Sequence, residues 1–149
     1  MSRVIVLDAG PLGLATNPRT SPASDGCRRW IQDVLMAGSQ IVVPEIVDYE
    51  VRRALIRANR SRGLGRLDQF LANVRYLPIT TLAMRKAAEL WAHARQIGQP
   101  TASDNTIDAD MILIAQAMSL NEPQATIATS NIGHLGRFFA ADIWTNITS

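Results

Sequence analysis

Short apolar runs rich in β-branched residues alternate along this chain with stretches of helical period, and the connections between the runs are long. Antiparallel strands can be joined by two residues, whereas parallel strands need a crossover of a dozen or more. The alternation therefore predicts an α/β fold with a mostly parallel central sheet flanked by helices. The expected strands are residues 3–8, Gln40 to Val43 with Pro44 as terminator, Tyr76 to Ile79, Ala125 to Thr129, and Ile143 to Ile147. The stretch SPASDGCRRWIQDVLMAG predicts a helix with Ser24 as cap and Gly38 as stop, and with Trp30, Val34 and Leu35 on its apolar stripe. Further helices are expected from about Ile46 to Arg60, from Leu67 to Val74 after a break at Gly63 to Gly65, and from Thr80 or Thr81 to Gly98. A polar loop, Gln99 to Asn105, then precedes a helix over Ile107 to Leu120, and Ile132 to Phe139 reads as a short one. No repeat, low-complexity tract or linker divides the 149 residues, so residues 1–149 are expected to form one domain.

Composition narrows the setting. With 47% hydrophobic and 19% charged residues, the chain can bury a core. Its longest apolar stretch, Met111 to Ala115, is broken at Gln116, too early to span a bilayer. The N-terminus carries an acid within eight residues and does not read as a signal peptide. The single cysteine, Cys27, excludes an internal disulfide, suits a reducing cytoplasm and reads as a small buried hydrophobe. A formal net charge of +2 does not by itself imply nucleic acid. The only lysine, however, is Lys86, and Arg supplies all the rest of the Lys and Arg total. Arg binds phosphate bidentately, although a nucleotide bias in the source genome would leave the same trace.

The first run, Val4-Ile5-Val6-Leu7, ends on Asp8, before what reads as a tight turn at Gly10-Pro11. An acid at the end of a buried strand is costly to desolvate unless something pairs with it. In open parallel sheets, ligands sit beyond the carboxyl ends of the strands. Asp8 stands at such an end, and Asn131 follows the run ATIATS. Glu45 and Glu50 follow QIVVP, and Asp104, Asp108 and Asp110 crowd the start of a helix. Carboxylates gathered without basic partners repel one another unless a cation joins them, and hard divalent ions such as Mg²⁺ or Mn²⁺ want oxygen ligands. Asp108 and Asp110 are two apart, so on a helix they point to nearly opposite sides. Structural alternatives stand beside each acid. The helix dipole accounts for Asp108 and Asp110, pairing with Arg53 or Arg57 for Glu50, and turn formation for Asp8.

Together the segments VIVLDAGPL, VPEIVDYEVRRAL, IDADMILIAQA and IATSNIGHL resemble the PIN domain, and within it the VapC-type toxins of bacterial toxin–antitoxin pairs. The likeness covers nearly the whole chain. It implies a PIN-like fold and a Mg²⁺- or Mn²⁺-dependent endoribonuclease that leaves 5′-phosphate and 3′-hydroxyl ends. It also implies a homodimer and inhibition by a cognate antitoxin protein. On this resemblance Asp8, Glu50 and Asp110 match the metal-binding catalytic acids, with Asp108 as an auxiliary acid. Thr129 and Asn131 match the final T-x-[D/N] motif, and Asn131 departs from the all-acidic pattern. Its carbonyl can ligate but brings no charge, which weakens the hold on a second cation.

Arg52, Arg53, Arg57, Arg60, Arg62 and Arg66 are candidates to steer RNA phosphates, with Arg53, Arg57 and Arg60 expected on one helix face. A solvated helix or an antitoxin-docking face are the alternatives for this stripe. Trp30, Trp91 and Trp144 read as core or dimer-interface aromatics, and His93 as packing or surface. His134, in the loop after Asn131, is within reach of a substrate. Two other functions compete. A phospho-acceptor domain using Asp8 would want a second acid at position 10, which is Gly, and a lysine after a later strand, whereas Lys86 lies in a helix. A PIN-like RNA- or protein-binding module with weak catalysis is favoured only by Asn131.

Overall fold

Val4 to Leu7 are all buried in the computed structural model, which describes residues 3–97 and 104–149. A strand covered on both faces belongs inside a parallel sheet, and β1 (Val4–Leu7) lies at the centre of one. On one side it pairs with β2 (Gln40–Pro44), Val4 opposite Gln40, and β2 pairs in turn with β3 (Arg75–Leu77). On the other side Leu7 stands opposite Ala128 of β4 (Ala125–Thr129), and β4 pairs with β5 (Ala141–Ile143). All four pairings are parallel, in the order β3-β2-β1-β4-β5. The chain works outward from β1 to β3 and then returns to β4 on the far side. Strand order thus reverses between β1 and β4, the place where such sheets open a crevice at their carboxyl ends.

Six α-helices flank the sheet among the described residues: α1 (Ala9–Thr16), α2 (Pro22–Met36), α3 (Glu45–Arg57), α4 (Ser61–Leu71), α5 (Thr81–Gln96) and α6 (Asp104–Ser119). Ile5, Leu7, Ile41, Leu113, Ile114 and Ile127 fill the core between them. Cys27 is buried there too; its Sγ donates to the Pro11 carbonyl, and burial pushes the thiol up to about 12. None of the described helices is long and apolar enough to cross a membrane.

Several boundaries differ from expectation. The chain passes from β1 straight into α1 where a tight turn is predicted. Asp8 caps the helix, and Pro11 lies in the first turn, where its missing N–H costs no intrahelical bond. Ser21, not Ser24, caps α2, accepting from the Ser24 N–H, with Pro22 as the first helical residue. Gly38, at φ 94, does end it. Trp30 and Val34 are buried, but Leu35 is 42% exposed, because a 100° step from Val34 carries it off the apolar stripe. Helix α4 begins at Ser61, so Gly63 and Gly65 lie inside it and not in a break. Packing overrides propensity here: a Cβ at Gly63 would stand 2.8 Å from Leu55 Cδ2, so α3 and α4 meet where glycine leaves room.

Towards the C-terminus, Trp144–Asn146 form a 3₁₀ turn where a strand is expected, and β5 is over by Ile143. Trp30 holds this segment: its Nε1 donates to the Ile147 carbonyl at 2.7 Å, and its ring tilts against Trp144. Ile132 to Phe139 holds only a 3₁₀ turn over Leu135–Arg137. Helix α6 opens at Asp104, ahead of Ile107; Gly98 and the loop from Gln99 to residue 103 lie outside the described residues.

Candidate metal centre

The partners of Asp8 are local. Its backbone N–H donates to the Ala128 carbonyl at 2.9 Å, extending the β1–β4 ladder by one step. Oδ1 accepts from the Ala9 N–H at 2.7 Å, and Oδ2 accepts from Thr129 Oγ1 at 2.8 Å. Thr129 is buried at the end of β4, and its Oγ1 also accepts from the Asn131 N–H. The Asp8 carboxylate is therefore held across the point of strand reversal by a helix N-terminus on one side and a hydroxyl on the other. Gly10 permits the close approach of α1 to this end of the sheet: a Cβ there would stand 2.8 Å from Ser130 Cβ.

Glu50 and Asp110 come from separate helices and share the field of Asp8. Burial, then the negative charges of Asp8 and Asp110, push the Glu50 carboxyl up to about 7, with Arg53 opposing. Burial and the Asp8 charge push Asp110 up to about 6, with His134 opposing. His134 Nε2 lies 3.1 Å from Asp110 Oδ2, and the two side chains are 11% and 23% exposed. Asp108 is exposed, on the other side of α6 from Asp110, as a spacing of two requires. The side chain of Asp104 falls outside the described residues. Asn131 is exposed, and its Oδ1 accepts from the Gly133 N–H within its own turn. Three acids from the end of β1, from α3 and from α6 thus feel one another's charge. Among the described residues, no three His, Cys, Asp or Glu stand close enough to form a ready-made ion cage.

The arginines divide. Arg52 is committed to the fold: its Nε donates to Asp48 Oδ1 and its Nη2 to Asp68 Oδ1, while Tyr76 Oη donates to Asp48 Oδ2. This network ties α3 to α4 and β3. Arg53 and Arg57 are exposed, and the Arg53 guanidinium lies 5.0 Å from the Tyr49 ring centre. Arg60 does not share their face, because α3 ends at Arg57, Asn59 turns the chain at φ 56, and Arg60 caps α4. With Arg19 and Arg62 it lines a groove of about 640 Å³ between α1, α3 and the start of α4, which none of the three acids lines.

Sequence reasoning missed one polar position and grouped a second with the wrong acids. Gln116, noted only for breaking an apolar run, is fully buried; its Oε1 accepts from the Ile46 N–H and its Nε2 donates to the Leu77 carbonyl. Glu45 accepts from the Ile79 N–H, so it braces a loop and does not join the other acids' hydrogen bonds. A lone amide inside MILIAQAM is the one signal that marked such a brace.

The fold has counterparts among solved structures. A chain of the VapBC2 structure from Rickettsia felis, bound to a DNA fragment from their promoter, superposes with a TM-score of 0.70 at 17% identity, over 95% of this chain and 98% of that one. A chain of FitAcB from Neisseria gonorrhoeae gives 0.68 at 17%, over 96% and 99%. One of VapBC-1 from nontypeable Haemophilus influenzae gives 0.70 at 15%, over 96% and 99%. A search of curated proteins returns no match. The family model described as PIN domain matches residues 5–132, a span that contains Asp8, Glu50, Asp110, Thr129 and Asn131. On that match, which takes in most of the sequence and the strands from β1 to β4, the chain belongs to the PIN domain family.

Proposed function

We propose that this protein is a metal-dependent endoribonuclease and the toxin of a type II toxin–antitoxin pair. The observation that carries the reading is the convergence of Asp8, Glu50 and Asp110, from three elements, at the strand-reversal point, with Glu50 and Asp110 held above the ordinary carboxylate range by burial and mutual charge. Such a donor set fits a hard divalent cation, Mg²⁺ or Mn²⁺, because a cation relieves the repulsion that the fold enforces. Asp8, Glu50 and Asp110 would hold it, with Asn131 at the rim; Asp108, on the other side of α6 from Asp110, stands away from it. Bound there, such an ion supplies a polarised water and charge for the leaving oxygen of a phosphodiester. The chain's own contribution is orientation. Thr129 and the Ala9 N–H fix the rotamer of Asp8, and the Asn131 N–H fixes Thr129. Exposed Arg53 and Arg57, beside Glu50 on α3, offer phosphate-binding charge to single-stranded RNA.

The partner classes follow from the same reading. The solved counterparts carry VapBC and FitAcB names, which supports a cognate antitoxin as partner. The groove lined by Arg19, Arg60 and Arg62 is available to a segment of it. Met84 and Trp91, seven residues apart on α5, are both exposed and suit a homodimer face. The whole chain acts as one PIN domain in the cytoplasm. The test is cleavage of RNA by purified protein with Mg²⁺ or Mn²⁺, with the 5′ ends sequenced, against Asp8→Asn. Cleavage that requires the metal and is lost in the variant supports the proposal. Undiminished cleavage by Asp8→Asn overturns it. Metal-independent RNA binding without cleavage selects the second reading, a catalytically weak binding module, for which the neutral, exposed Asn131 speaks.

A further inference from the structure

We propose that Tyr49 is a stacking place for one base of the RNA, set beside the acids by its position on α3 and by Arg53. The proposal rests on the reading of this chain as an RNA-cleaving enzyme. Tyr49 is 56% exposed on a helix whose next residue is Glu50. Asp48, one residue before, is buried and accepts from Arg52 and Tyr76 within the fold. The Tyr49 ring instead stands at the surface with the Arg53 guanidinium over it, 5.0 Å from its centre. A single exposed aromatic is ordinary on a protein surface. The surroundings set this one apart. On a helix, Arg53 falls about 40° from Tyr49 and about 60° from Glu50, on the arc between them. Its charge reaches both: it lies over the ring, and it opposes the burial that raises the Glu50 carboxyl. Ring, cation and acid therefore form one continuous strip of α3.

A nucleotide carries a flat base and a phosphate on one sugar, so a site for it needs a ring and a positive charge side by side. Residues 49 and 53 supply both, next to an acid of the metal centre. Single strands are bound by this pairing of base stacking with backbone charge, and every base has a face to stack. Arg53 serves both parts, because a guanidinium stacks on aromatic planes and still presents N–H donors to phosphate. One ring takes one base, so its preference follows stacking strength and not hydrogen-bond pattern. Ile56 is exposed on the same side of α3, about two turns further on. A second copy of the chain is therefore the rival occupant of that side. Arg53 and Arg57, both exposed beside these residues, put two positive charges there, which favours a polyanion.

The experiment is fluorescence-anisotropy titration of the full chain with two labelled RNA strands of equal length and charge, oligoadenosine and its abasic counterpart. EDTA is present so that no cleavage intervenes. The wild type is expected to bind oligoadenosine roughly tenfold more tightly than the abasic strand. Tyr49→Ala is expected to lose that margin, with the abasic strand bound as before and the salt slope unchanged, since the ring carries no charge. Tyr49→Phe is expected to keep it. If Tyr49→Ala weakens both strands together, Tyr49 acts on the fold and the proposal is overturned. A margin that survives in Tyr49→Ala, or is absent from the wild type, also overturns it, while RNA binding and the enzymatic reading stand. If Tyr49→Ala binds both strands as the wild type does but falls from two chain masses to one in light scattering, the side belongs to a second copy and the proposal is overturned. If the wild type binds neither strand, no base is held and the proposal fails; RNA cleavage with Mn²⁺ then decides separately whether the enzymatic reading stands.

Discussion

Glu50 is the residue on which pH bears most directly. Its carboxyl is raised from 4.5 to about 7 in the folded chain by burial and by Asp8 and Asp110. The folded state therefore binds more protons than the unfolded one between these values, and stability falls as pH rises through that window. The metal-free protein is expected to be more stable at pH 5 than at pH 8 by roughly 1–2 kcal/mol from this group, after allowance for solvent screening of a partly exposed side chain. Urea denaturation at the two pH values measures it. Glu50→Gln should flatten the difference and raise the melting temperature of the metal-free protein, while abolishing RNA cleavage. Mn²⁺ should reverse the trend in the wild type, stabilising more at pH 8, where the carboxylates are free of protons. A wild-type profile that is flat without metal would mean that Glu50 does not feel the other acids.

Between elements, the brace at Gln116 matters as much as the acids themselves. Helix α6 carries Asp110 and α3 carries Glu50, and Gln116 joins the first turn of α3 to the end of β3. Gln116→Leu leaves a buried N–H and a buried carbonyl without partners, at a cost of about 2–4 kcal/mol, read from the midpoint of chemical denaturation. The contact of α1 with the β4 loop is a second junction. Gly10→Ala would gain about 1 kcal/mol of helix propensity in isolation. Here it is expected to destabilise by about 1–2 kcal/mol, because the new Cβ meets Ser130 Cβ at 2.8 Å and one of the two elements must shift. A stabilised Gly10→Ala protein would show that the loop yields freely.

For the molecule as a whole, charge and assembly are the measurable properties. Single-stranded RNA binding should weaken with salt, each phosphate contact adding about 0.7 to the slope of log K against log salt. Arg53→Gln with Arg57→Gln is expected to lower that slope by about 1.4, as measured by fluorescence titration at several salt concentrations. An unchanged slope with lost antitoxin binding would assign the face to the partner protein. Light scattering is expected to give twice the 16.3 kDa chain mass, and Trp91→Glu is expected to shift the mass toward that of one chain.

The layered α/β architecture was legible in the sequence because it rests on local information, whereas the choice of Asp8, Glu50 and Asp110 among the acids came from the resemblance to the PIN domain. VIVL can only be a strand buried on both faces, and Asp8, Glu50 and Asp110 stand at fixed offsets from runs whose period sets their direction. The same offsets separated Asp110 from Asp108, since a helix turns nearly half a circle in two residues. Other features depended on contacts far apart in the chain. That Gly63 sits inside a helix was decided by Leu55 packing over it, and that Trp144 ends a strand by its contact with Trp30 across the molecule. The amide of Gln116, the hydroxyl of Thr129 and the ring of His134 found partners 39 to 121 residues away or on another element. Periodicity assigns a side chain to a face, but only the assembled sheet, with its order reversed between β1 and β4, decides which faces meet.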